Sequence, residues 1–145
     1  MHNRFRFRVW DKSEESYFTQ EDFTIYLEPN GRLQIIGTGV DGEDCFFETK
    51  DIVIEQCTGL KDKNGKLIYE GDILRSESYP FKSNNEYHYA AEVCFDEESA
   101  VFFYYIFRTS TKVAGRSEGN TGQLDEYEWE VIGNIHENKE SLQCQ

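Results

Sequence analysis

The sequence predicts a mainly β protein of antiparallel strands, with an N-terminal β region followed by a small C-terminal barrel. Three observations predict it. Short stretches alternate apolar and polar residues with period two. Turn signals such as Pro-Asn-Gly and Asn-Gly separate those stretches. The apolar complement is rich in rings, 11 Phe, 9 Tyr and 2 Trp against one Met, which suits strands and not a helical bundle.

The elements follow in order. "FRFRVW" (5–10) alternates: Phe5, Phe7 and Val9 face inward, while Arg4, Arg6, Arg8 and Trp10 face outward. The arginine row is solvated, or it neutralises an acidic neighbouring strand. Residues 23–36 read as a hairpin, "FTIYL" turning through Pro29-Asn30-Gly31 into "RLQII", with Phe23, Ile25 and Leu27 inward and Tyr26 outward. "CFFE" (45–48) and "IVIEQC" (52–57) are further strands. "YHYAAEVCF" (87–95) is a long strand with Tyr89, Ala91, Val93 and Phe95 on one face. "AVFFYYIF" (100–107) lacks polar alternation and reads as a strand covered on both faces. Residues 108–123, rich in Ser, Thr and Gly, read as a long loop. "EYEWEVIG" (126–133) closes the fold with Tyr127, Trp129 and Val131 inward, and a short tail with one helical turn follows. The expected organisation is 1–57, 58–137 and the tail 138–145.

The segment TGLKDKNGKLIYEGDIL (58–74) is the most distinctive stretch. It reads as a hairpin followed by a sharp bend. Gly59, Gly65 and Gly71 supply bends that a side chain would oppose. Asp62, Asn64, Glu70 and Asp72 surround the turns, and Asp62 and Asp72 are placed to accept backbone N–H groups. A Gly-Asp-Ile turn entering a strand is common in SH3-like barrels, so the barrel is expected to be of that kind. Asp62-x-Asn64-Gly65 also matches part of a calcium loop. That register fails at both ends, where Leu60 and Gly71 stand in place of the first and last acidic ligands. These seven residues are therefore read as architecture.

No metal or catalytic constellation is visible. Cys45, Cys57, Cys94 and Cys144 are scattered without ligand spacing, and His2, His88 and His136 lie beside no nucleophile motif. No cofactor is expected. The bland reading of the cysteines, free thiols, places the chain in the cytoplasm. There is no signal peptide and no apolar run of membrane-span length. The net charge is −13, although residues 1–12 are basic, and acid clusters at 41–51 and 125–130. That surface repels phosphate backbones, which argues against direct nucleic-acid binding. Solubility is its ordinary meaning; mimicry of nucleic acid, to occupy a DNA-binding protein, is the sharper one. A hydrolase built on a carboxylate pair brought together by folding is the enzymatic rival, and a non-enzymatic module that binds a protein is the leading reading. The run "VFFYYIF" leaves bulky side chains on a second strand face, so a homo-oligomer is expected, with Trp10, Tyr26, Phe102, Phe103, Tyr104 and Tyr105 as its interface.

Three blocks carry a family resemblance: "FRFRVWD" (5–11), "QCTGLKDKNGKLIYEGDIL" (56–74) and "EVIGNIHEN" (130–138). Together they resemble the YopX family of bacteriophage and prophage proteins, nearly end to end. Cys57 stands where that family commonly has Tyr, and Lys139 where it has Pro. The resemblance implies a phage-encoded, mostly β protein, and the interaction-module reading expects its partner to be a host or phage protein. It supplies no established activity and no catalytic residues.

Overall fold

The computed structural model describes residues 3–19, 23–38, 44–46, 51–124 and 128–143. Most of the acidic cluster at 41–51, the inward Tyr127 and the end of the tail fall outside them. The expectation of mainly antiparallel β holds, and the structure includes a curled half-barrel sheet. Backbone contacts divide the chain into one unit of residues 7–55 and another of 1–6 with 56–145. Among the described residues no helix is long and apolar enough to cross a membrane.

In the smaller unit, β1 (Phe7–Asp11) pairs with β2 (Ser16–Tyr17), and β3 (Phe23–Leu27), β4 (Leu33–Thr38) and β5 (Asp44–Phe46) form a meander. The β3–β4 hairpin turns where Pro-Asn-Gly predicts: Gly31 N–H donates to Glu28 O, Arg32 N–H donates to the Asn30 side chain, and Ile25 faces Ile35. Val9, Leu33, Ile35 and Ile52 make the core, with Phe7, Phe18, Phe23 and Ile25 packed on it. Leu27, expected inward, is exposed at the end of its strand.

Trp10 departs from expectation. It is 5% exposed, set edge-on to its cross-strand partner Tyr17 at 4.9 Å. The alternation assigns Trp10 correctly to the arginine face. That face is covered, however, because Arg8 stacks over Tyr17 and both reach the buried carboxylate of Glu55: Arg8 Nε at 2.5 Å and Tyr17 Oη at 3.0 Å. Arg8 thus neutralises acid on β6 (Ile52–Lys61), the neighbouring strand.

The larger unit is built on a five-stranded antiparallel sheet. Its members are β8 (Asp72–Arg75), β11 (Tyr89–Asp96), β12 (Val101–Arg108), β13 (Thr121–Gln123) and β14 (Glu130–Asn134), in the order β13-β12-β11-β8-β14. β7 (Leu67–Tyr69) pairs with β6, and the short β9 (Lys82–Ser83) and β10 (Glu86–Tyr87) pair with each other. One face of the large sheet carries Leu74, Ala91, Val93 and Ile106, closed by Phe81 and Trp129. Trp129 stands edge-on to Phe81 at 5.2 Å and tilted to Tyr104 at 5.2 Å, geometries that add about 1 kcal/mol per pair beyond area burial. The opposite face holds Ile73, Ala90 and Phe107, covered by Ile132, Ile135 and Leu142. Leu142 lies on α1 (Lys139–Leu142), the one-turn tail helix.

Residues 108–123 are not a plain loop. Arg108 ends β12, a 3-10 turn spans Gly115–Ser117, and β13 returns to pair with β12. The Tyr89 hydroxyl donates to Ala114 O, Gly119 N–H donates to Ile106 O, and Val113 packs on the core. A three-residue strand of Thr-Gly-Gln is too short to show alternation, so composition alone reads as loop.

The EVIGNIHEN block is a packed corner. The Asn134 side chain accepts N–H groups from His136 and Glu137 and donates to Glu137, and Ile135 N–H donates to Gly71 O. Gly133 is required for space: a Cβ there would lie 2.7 Å from Asn138 Cβ and 2.4 Å from its Oδ1. Gly133→Ala is expected to lower unfolding stability by about 1–3 kcal/mol in urea titration, with the far-UV β spectrum retained at zero denaturant.

Candidate functional site

The sequence nominates two places: residues 58–74 and the aromatic strand β12. In the first, every nominated residue has a local structural role. Gly59, Gly65 and Gly71 have φ of 84°, 82° and 85°. Gly59 sits in the register shift between Cys57 and Lys61 of the β6–β7 ladder; its N–H faces Cys57 Sγ, and Thr58 Oγ1 donates to Ile68 O. Asn64 and Gly65 form the hairpin turn. Glu70 N–H donates to Gln56 O, and Gly71 N–H donates to Val93 O. Asp72, fully buried, accepts Tyr69 N–H at 2.8 Å and closes the bend.

Asp62 joins the hairpin to the sheet. One carboxylate oxygen accepts Asn64 N–H and Lys66 N–H, both at 2.9 Å; the other accepts Val131 N–H of β14 at 3.1 Å. Lys63 N–H adds a bond to Trp129 O. Burial opposes the charge, but the three backbone donors, from Val131, Lys66 and Asn64, outweigh it and hold this carboxyl below the ordinary carboxylate value. Its lone pairs already serve backbone amides, which is the physical answer to the partial calcium match. Among the described residues, no three His, Cys, Asp or Glu gather in a metal-binding group.

The six nominated interface residues fall in two different units. Trp10 is buried and Tyr26 is 53% exposed, both in the smaller unit. On β12, Phe102 and Tyr104 turn toward the Trp129 core. Phe103 and Tyr105 lie on the opposite face with Val101; Val101 is 36% and Tyr105 40% exposed. The tail helix and its turn cover only the Phe107 end of that face. An apolar stripe, Val101-Phe103-Tyr105, is therefore left partly open. Cys94 faces Phe103 across the ladder; burial, and then Glu92, push its thiol up to about 11, so it is a poor nucleophile.

Two concavities flank β13, which sequence reasoning missed because topology alone assembles them. A groove of about 540 Å³ lies beside Asp96, Glu97, Val101, Phe103, Thr121 and Gln123. A recess of about 230 Å³ is lined by Tyr79, Phe81, Tyr104, Ile106 and Trp129, with Gln123 at its border.

The family model described as YopX protein matches residues 6–143. The chain belongs to the YopX family. Among solved structures, protein yopX from Bacillus subtilis matches with TM-score 0.56 at 19% identity, over 97% of this chain and 99% of that one. Protein EF1440 from Enterococcus faecalis matches with TM-score 0.47 at 27% identity, over 95% and 97%. No curated protein matches the chain. The yopX structure shares the fold, and neither description names an activity. The three sequence blocks of this YopX chain coincide with the β1 strand, the Asp62 hairpin and the Asn134 corner.

Two outcomes follow for Asp62. Asp62→Asn places an amide donor where one carboxylate oxygen accepts, and is expected to cost about 2–3 kcal/mol of unfolding stability. The lowered carboxyl also makes its contribution pH-dependent. It is full above the unfolded-state value of about 4 and fades as pH falls through the folded value. Wild type minus Asp62→Asn stability, measured by urea melts from pH 7 to pH 2.5, should be flat to about pH 4 and shrink below it.

Proposed function

We propose that this YopX-family chain is a non-enzymatic protein-interaction module, phage- or prophage-encoded and acting in the cytoplasm on a host or phage protein. The observation that carries it is the partly open stripe of Val101, Phe103 and Tyr105, on a strand whose Phe102, Tyr104, Ile106 and Phe107 belong to the packed clusters of its two faces. Apolar side chains ranked in a row on a rigid sheet gain most by burial against another protein.

The buried acids support the non-enzymatic part of the reading. Asp62 and Asp72 hold backbone amides, Asp11 accepts Ser13 and Glu14 N–H, and Glu55 is met by Arg8 and Tyr17. Groups bound in this way serve as structural acceptors, which favours the non-enzymatic reading over an acid–base pair. The DNA-mimic reading loses ground for a related reason: Glu77, Glu86, Glu92, Glu118 and Glu130 each have a cation within 4 Å. Self-association is the second reading, because a second copy could cover the same stripe.

Site-specific crosslinking tests the module. With p-benzoylphenylalanine in place of Tyr105, a discrete adduct is expected in host-cell lysate, absent when the same photoprobe replaces the exposed Glu14. Equal labelling at both sites would sink the reading. Light scattering on the pure protein separates the occupants: a mass at least twice 17.0 kDa at micromolar concentration marks a second copy, reverted to monomer by Tyr105→Asp.

A further inference from the structure

The outer edge of the large sheet has the geometry of a strand acceptor. β13 is an edge strand, and its register with β12 fixes which backbone groups are used. Leu124 N–H donates to Phe102 O, and Ile106 N–H donates to Asn120 O. Antiparallel ladders alternate hydrogen-bonded and non-hydrogen-bonded pairs. Gly122 therefore turns its N–H and C=O toward Tyr104, while Thr121 and Gln123 turn theirs away from β12. Both residues are exposed. The edge thus offers two N–H and two C=O groups, spaced for an extended chain.

The ground on either side of that edge differs in chemistry. A strand added there would send alternate side chains to opposite faces of the sheet. On one face lies the aromatic recess of Tyr79, Phe81, Tyr104 and Trp129. Gly122 allows Tyr104 to lie close, since a Cβ on Gly122 would fall 2.3 Å from the Tyr104 hydroxyl. On the other face lies the groove whose lining includes Asp96, Glu97 and Phe103. The Ser99 hydroxyl, then Glu98 N–H, bind the Asp96 carboxylate and keep it charged into acid solution. A recess of about 230 Å³ holds one ring or branched side chain.

We propose that β13 is a docking edge for an extended, basic segment of a partner protein in which Lys or Arg alternates with aromatic or branched apolar residues. This rests on the interaction-module reading and names the partner's chemistry. Main-chain bonds to Thr121 and Gln123 hold the segment, and the two flanking surfaces select its alternation. Charge decides between this occupant and a second copy. The chain carries −13, and a further acidic residue, Glu98, adjoins the groove, so a second copy meets like charge where a basic segment meets opposite charge.

The test is a nuclear magnetic resonance titration of the full-length labelled protein with a capped peptide, Lys-Val-Lys-Tyr-Lys-Val-Lys. Saturable shifts are expected at the Thr121 and Gln123 amides and the Trp129 indole, weakening as salt rises. Methylating alternate peptide nitrogens, on the edge that faces β13, should abolish binding to the unaltered protein. The substitutions Asp96→Asn, which keeps an oxygen to accept Glu98 N–H, and Glu97→Gln, at an exposed position, should keep the fold and bind about tenfold more weakly. The proposal is overturned by shifts centred elsewhere, by equal binding of a peptide with Glu for Lys, by indifference to methylation, or by no saturation up to about 1 mM. A self-associated state mapped to β13 also overturns it, in favour of the second copy. Failure here with the Tyr105 crosslink intact removes the docking edge alone; failure of both removes the module as well.

Discussion

The large sheet depends on one carboxylate. Asp62 sits at the tip of a hairpin and accepts three main-chain amides, two from its own turn and one from Val131, far along the chain. Local and distant bonds share one side chain, so neither the turn nor the β14 edge is set independently of the other. Lys63 N–H on Trp129 O repeats the link one residue on. This pins the residue before β14 and places the Trp129 indole between Phe81 and Tyr104. A neutral side chain of equal size lacks the acceptors to do this. A carboxylate, by contrast, gains from each donor more than burial takes away. The carboxylates of Asp62 and Asp72, which make 58–74 look like a ligand site, are consumed in holding the backbone.

Much of this was legible in advance, for identifiable reasons. Positive-φ glycines and short acids beside them are signals with a mechanism, so the turns at Gly65 and Gly71 could be placed from the residues alone. Period-two alternation gave the faces of β1, of β11 and of β3 as far as Ile25, but Phe5 and Leu27, expected inward, are exposed. Alternation tells which side chains share a face but not what covers that face, and Trp10 shows the difference: it lies with the arginines, yet Arg8, Tyr17 and Glu55 close over it. β13 escaped notice because three residues carry no period. The aromatic recess escaped because Tyr79, Phe81, Tyr104 and Trp129 come from widely separated segments that only the strand order brings together. For β12, the lack of alternation did signal a strand between two layers. The finer fact, that the described second layer packs around Phe107 and leaves Tyr105 40% exposed, lies in the segments that cover the strand and not in the strand itself.

Excess acid has two different destinations in this molecule. Some carboxylates are structural, meeting amides or a cation: Glu55 with Arg8, Glu92 with Lys139, Glu130 with Arg75 and Lys63. The part-exposed pairs among them, on Glu92 and Glu130, contribute little energy each, and their effect is to hold neighbouring strands and the tail in register, whereas Glu55 is buried. Others, such as Asp96 to Glu98, stand at a hairpin end with no cation close by among the described residues and set the local potential instead. Net charge alone does not distinguish the two groups; the position of each acid relative to a basic strand does.

The placing of β8 has a consequence for synthesis. Ile73 and Leu74 are wholly buried, yet β8 is paired on one side by β11 and on the other by β14, where Asp72 faces Asn134. A growing chain makes the first pairing from sequence close at hand. The second waits for β14, which follows β11, β12 and β13 in the chain. Until then the β8 edge, the Asp62 oxygen meant for Val131 and the Ile73 face meant for Ile132 and Ile135 are all unsatisfied. The nascent protein therefore passes through a stage with a bare strand edge and an open apolar face, the form most prone to wrong pairing. The emergence of β14, and not that of the first strands, is the moment at which this sheet becomes complete.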